Sequence, residues 1–147
     1  MTAVSRRDLR GYAWYVAPAV AYAAAIFVGG SLHVSAAPKV AHGDKIVHAL
    51  AFAGMALLAY RAVRFQWSTT TRTAQLVWGA AVSGALGGLL EIYQAFIPFR
   101  SADVLDWLAD LVGAAIAMGV AHLMLRRRTS AAVAPDGGAV AARQSGA

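Results

Sequence analysis

Eight side chains are of kinds that move protons, bind ions or hold charged ligands: Asp44, Lys45, His48, Glu91, Gln94, Arg100, Asp106 and Asp110. Histidine titrates near neutrality and is the natural acid–base residue among them. In a catalytic arrangement Glu91 or Asp106 would orient His48, and Arg100 would hold a phosphate or carboxylate of the substrate. No Ser or Cys beside these residues is an obvious nucleophile. His48 and the carboxylates are also metal-ligand types, but no compact motif such as HExxH supports a metal site. No metal or other cofactor is therefore expected. Buried polar networks also serve simply to join helices, so structural, binding and catalytic uses all stay open, with the balance leaning away from an enzyme.

The elements that must position these residues follow from composition. The chain has 147 residues, of which 59% are hydrophobic and 14% charged. A soluble domain carries roughly 25% charged residues, so water is not the only solvent here. Four apolar stretches are each long enough for a span, which needs about 20 helical residues. They cover residues 12–32, 44–65, 74–97 and 104–125. The second is the weakest, with fixed charge absent only between Lys45 and Arg61, both of which can snorkel outward. The spans lack the alternation of a membrane β-barrel. The expected fold is all-α, a four-helix transmembrane bundle over residues 1–128, followed by a disordered tail over 129–147. Cysteine is absent, which excludes disulfides and thiolate metal sites.

Charge suggests orientation. Four spans put both termini on one side. Arg6, Arg7, Arg10, Arg61, Arg64, Arg72, Arg126, Arg127, Arg128 and Arg143 fall on that side, against Lys39, Lys45 and Arg100 on the other. Positive residues stay inside, so cytoplasmic termini and a multi-pass protein of the plasma membrane are expected. Ser5-Arg6-Arg7 and Val34-Ser35-Ala36 look a little like an export signal with a cleavage site, but the run between them suits a retained anchor better. The basic residues are scattered over helix ends, so no nucleic-acid partner is expected, whereas membrane lipids are.

Five of the seven acids, Asp44, Glu91, Asp103, Asp106 and Asp110, map to the outer ends of three helices. His48 sits about one turn into the second span. Glu91 and Gln94 end the third. Asp106 and Asp110 open the fourth on one face, at i and i+4. Glu91 and Asp110 lie about 10 Å below the loop ends, deep enough to mark a functional site by default. Asp44 and Asp103 have the simpler role of favouring helix N-termini, and Ser101 is a candidate N-cap. Pro98 ends the third helix, and His122 is isolated.

These residues resemble a family pattern. Asp44-Lys45-Ile46-Val47-His48 resembles the DKxxH motif of VanZ-like membrane proteins. Glu91-Ile92-Tyr93-Gln94 and Pro98-Phe99-Arg100 look like its ExxQ and P-x-R elements. Asp106, Asp110 and Gly113 fall at its later D, N-or-D and G positions, with Asp110 where many relatives carry Asn. The resemblance covers about residues 40 to 120. It implies a cell-envelope protein with a link to resistance to the glycopeptide teicoplanin, and it implies no defined reaction. The favoured expectation is binding of an envelope lipid or glycopeptide-related ligand at the outer polar cluster. The alternatives are a membrane enzyme acting on a lipid-linked or phosphate-bearing substrate, and a small transporter. The near absence of polar residues from the inner halves of the spans counts against transport.

Small residues complete the reading. Gly79, Ser83 and Gly87 form one ridge of the third span, and Ala80, Gly84 and Gly88 the next. Gly113, Ala117 and Ala121 do the same in the fourth. Such rows let helices approach closely in lipid, within one chain or across a homodimer.

Overall fold

The computed structural model describes residues 6–32 and 43–133, with side chains over 9–32 and 43–129. His33, Lys39, His42 and the tail beyond 133 lie outside the described residues. Among the described residues there are five helices and no strand: α1 (Arg6–Tyr15), α2 (Ala17–Ser31), α3 (Gly43–Gln66), α4 (Arg72–Gln94) and α5 (Val104–Val133). Three of them, α3, α4 and α5, are each long and apolar enough to cross a membrane. The first expected span is instead broken: α1 and α2 meet at 41°, and the pair makes a fourth span if counted together.

The break has a local cause. Pro18 is the second residue of α2 and has no N–H, so the Trp14 carbonyl four residues earlier loses its helical donor. Arg61 of α3 replaces it, donating from Nη2 to the Trp14 carbonyl at 3.0 Å. The same guanidinium lies over the rings of Trp14 and Tyr15, at 5.4 and 5.0 Å from their centroids. Polar backbone freed by a proline in a membrane helix needs such a neighbour.

The far end of the chain also departs from expectation. The last helix continues to Val133, so residues 129–133 are helical. Thr129 donates from Oγ1 to the Leu125 carbonyl at 2.7 Å, and the Ala pair that follows has high helix propensity. Thr71 caps α4 by accepting the Ala74 N–H at 3.2 Å.

Helices α3, α4 and α5 pack on one another most extensively, and α1–α2 lies against their outside. One core cluster joins α2, α3 and α4 through Ala19, Phe52, Met55, Ala59 and Leu90. A second joins α3, α4 and α5 through Ala56, Tyr60, Leu76, Ala114 and Met118. Large apolar side chains such as Leu50, Val77, Ile92, Ile116 and Met124 face outward, as lipid-facing surface requires.

The small-residue ridges are used within the chain. A side chain on Gly113 would strike the backbone carbonyl of Ala49 in α3. One on Gly79 would lie 3.0 Å from the Tyr60 backbone. Ser83 is fully buried and donates to the Phe52 carbonyl at 2.9 Å. On the next ridge Trp107 donates from Nε1 to the Gly84 carbonyl at 3.0 Å, and its indole lies beside Gly88.

Alternating helix direction brings the start of α3, the end of α4 and the start of α5 to one end of the bundle. The opposite end is marked by the Tyr12 hydroxyl bonding to Gln66 at 3.1 Å.

Candidate polar site at one end of the bundle

Lys45, on the first turn of α3, reaches across to α5. Its ammonium lies 2.7 Å from Asp106 Oδ1, 2.9 Å from Asp103 Oδ2 and 3.6 Å from Asp44 Oδ2. Asp103 is the N-cap of α5 and accepts the Leu105 N–H at 2.8 Å, so it occupies the capping position expected of Ser101. Its carboxyl is held below the usual Asp range, chiefly by the Lys45 ammonium hydrogen-bonded to it, with the Leu105 N–H adding to this.

One turn deeper, His48 Nδ1 lies 3.0 Å from Asp110 Oδ1. The other ring nitrogen, Nε2, lies 3.9 Å from Asp106 Oδ2, beyond hydrogen-bond distance. Asp110 is therefore the nearer orienting partner of His48. Glu91, from α4, accepts the backbone N–H of Asp103 through Oε2 at 2.7 Å. Glu91 and Asp110 are both buried.

The remaining two expected residues face the first span. Gln94 donates from Nε2 to the Gly30 carbonyl at 3.4 Å. Arg100 donates from Nη2 to the Leu32 carbonyl at 3.0 Å. Both meet carbonyls at the C-terminal end of α2, where the last turn of a helix leaves its carbonyls in want of donors. They fasten α2 at the rim of the cluster.

The structure thus brings together Lys45, His48, Glu91, Asp106 and Asp110, leaves Asp44 at the exposed edge, and turns Gln94 and Arg100 toward α2. Sequence reasoning assigned Asp103 only a capping role, yet it is also a partner of Lys45. It missed Gly87, whose lack of a side chain admits the Asp110 carboxylate, the only sign of this being the small-residue ridge itself. Among the described residues around His48, five carboxylates share one fixed cation, Lys45, so the site favours cations and hydrogen-bond donors over bare anions. A cleft of about 560 Å³ lies at the opposite end of the bundle, lined by Tyr15, Tyr60, Arg61, Arg64, Phe65 and Ser68.

The VanZ/LLP1 family model matches residues 9–125, from α1 through most of α5, with every residue of the polar cluster inside the match. No curated protein and no solved structure matches the chain. The family match and the apolar helices together make the chain a membrane protein of the VanZ/LLP1 family.

Proposed function

We propose that the protein binds the head group of an envelope lipid or related component at its polar end, and thereby alters susceptibility to glycopeptides such as teicoplanin. The observation that carries this reading is a graded polar path. Side-chain exposure falls from 61% at Asp44 and 41% at Asp103, through 23% at Lys45, 17% at His48 and 14% at Asp106, to none at Asp110. Such a gradient sets polar partners in series from the exposed edge of the cluster to its buried floor, with the outer ones within reach of a head group. The carboxylate excess favours a head group rich in hydrogen-bond donors. In this reading the polar end faces outward, because Arg61, Arg64, Arg72, Arg126, Arg127 and Arg128 mark the other end.

The test is a teicoplanin susceptibility assay in a sensitive Gram-positive host. Wild type is compared with His48→Ala, Glu91→Gln and Asp106→Asn, with membrane-inserted protein quantified in each. Tolerance raised by wild type and lost in normally inserted variants supports the reading. Well-inserted wild type that leaves susceptibility unchanged sinks the glycopeptide role. Variants that fail to accumulate point to a purely structural network.

One observation favours a second reading, a membrane enzyme acting on a lipid-linked or phosphate-bearing substrate. The His48–Asp110 pair is an oriented imidazole of the kind used in acid–base catalysis. An enzyme would lose turnover in folded His48→Ala and His48→Gln alike, whereas a binding site would tolerate the glutamine.

A further inference from the structure

Two oxygens in the deepest part of the cluster have no hydrogen-bond partner among the described residues: Glu91 Oε1 and Asp110 Oδ2. Their residues are 6% and 0% exposed. Carboxylate oxygens buried this way are costly unless something satisfies them. Lys45 does not do so, since its ion pairs run to Asp44, Asp103 and Asp106.

The two oxygens belong to one locus. Asp110 Oδ2 points at α4, lying 2.5 Å from where a side chain on Gly87 would begin. Gly87 and Glu91 are four residues apart and share a helical face. Donor atoms of His48, Glu91 and Asp110 all lie within 4.8 Å of one another.

We propose that His48, Glu91 and Asp110 hold a divalent transition-metal ion, of the Zn²⁺ or Mn²⁺ class. One imidazole and two carboxylates is a donor set suited to such ions. An ion about 2.1 Å from each donor sets tetrahedral neighbours about 3.4 Å apart, so the widest donor separation closes by up to about 1.4 Å through side-chain torsion. Asp106 Oδ2, 3.9 Å from His48 Nε2, stands where a carboxylate would fix the orientation of a ligating imidazole. The ion would satisfy the unpaired oxygens and offset the acidic excess that Lys45 leaves. Sequence reasoning counted His48 and the carboxylates as metal-ligand types but found no compact motif, because the three ligands come from three helices. The site lies beyond the head-group reading and does not depend on it.

The experiment uses the full chain in nanodiscs, stripped with a chelator and titrated with Zn²⁺ and Co²⁺. One equivalent should bind, with visible Co²⁺ absorption bands. His48→Gln and Asp110→Asn should weaken binding at least about tenfold, and His122→Gln should not. Melting curves report folding in every variant. X-ray absorption of Zn²⁺-loaded wild type needs no variant at all: a first shell with one imidazole and carboxylate oxygens is expected. No stoichiometric uptake, undiminished uptake in folded Asp110→Asn, or a shell without imidazole would each overturn the proposal. Metal uptake by wild type that leaves teicoplanin tolerance unchanged would sink the glycopeptide role alone.

Discussion

The carboxylate of Glu91 in α4 accepts the backbone N–H of Asp103 at 2.7 Å and so closes the N-terminus of α5 from outside that helix. In a capping box the third helical residue does this. Here that residue is Asp106, which is taken by Lys45 at 2.7 Å. The start of α5 is therefore tied to α4 and α3 at once.

Glu91→Gln keeps an oxygen that can accept the Asp103 N–H, and Glu91→Ala does not. The glutamine variant should unfold within about 1 kcal/mol of wild type, and the alanine variant should lose about 1–3 kcal/mol. Reversible unfolding in mixed micelles measures both. Equal losses would show that the cap contributes nothing.

Gly113 and Gly119 lie on the same helix in opposite circumstances. A side chain on Gly113 meets the Ala49 backbone, which cannot rotate away, whereas one on Gly119 meets nothing within 4 Å among the described residues. Gly113→Ala should destabilise by about 1–3 kcal/mol, as overpacking does. Gly119→Ala should be neutral or slightly stabilising. The same unfolding assay compares the pair.

Arg61 and Pro18 should be coupled through the Trp14 carbonyl. Arg61→Met leaves that oxygen without its donor and should cost about 1–2 kcal/mol. Pro18→Ala restores a backbone N–H to serve the carbonyl, so the same arginine substitution should cost less in that background. A double-mutant cycle with no coupling would refute the replacement.

Lys45 should be coupled more strongly to Asp106 than to Asp103. The Asp106 side chain is 14% exposed and the Asp103 side chain 41%. Exposed ion pairs contribute about 0.2–1 kcal/mol, and hydrogen bonds to charged groups in shielded positions about 1.5–3 kcal/mol. Cycles of Lys45→Met with Asp106→Asn and with Asp103→Asn should show this order.

The spans and the convergence of Lys45, His48, Glu91, Asp106 and Asp110 were legible in the sequence, because hydropathy sets helix ends and helix ends set depth. The pairings were not. Depth does not say that His48 meets Asp110 rather than Glu91, since rotation about each helix axis depends on Gly87 and Gly113 letting backbones approach. Gln94 and Arg100 have the right depth but turn toward the carbonyls of α2. Pro18 signalled the break at Val16, but the apolar run on both sides concealed it. The extension of α5 to Val133 was hidden by three arginines, which end a hydrophobic run without ending a helix.

The order of synthesis gives the His48–Asp110 pair a further consequence. An isolated α5 would carry the Asp106 and Asp110 carboxylates toward lipid with no partner to offset them, which is costly for ionisable groups below the head groups. Lys45 and His48 lie on α3, which precedes α5 in the chain and is therefore translated before it. Translation thus delivers the costly segment after the helix that carries its partners.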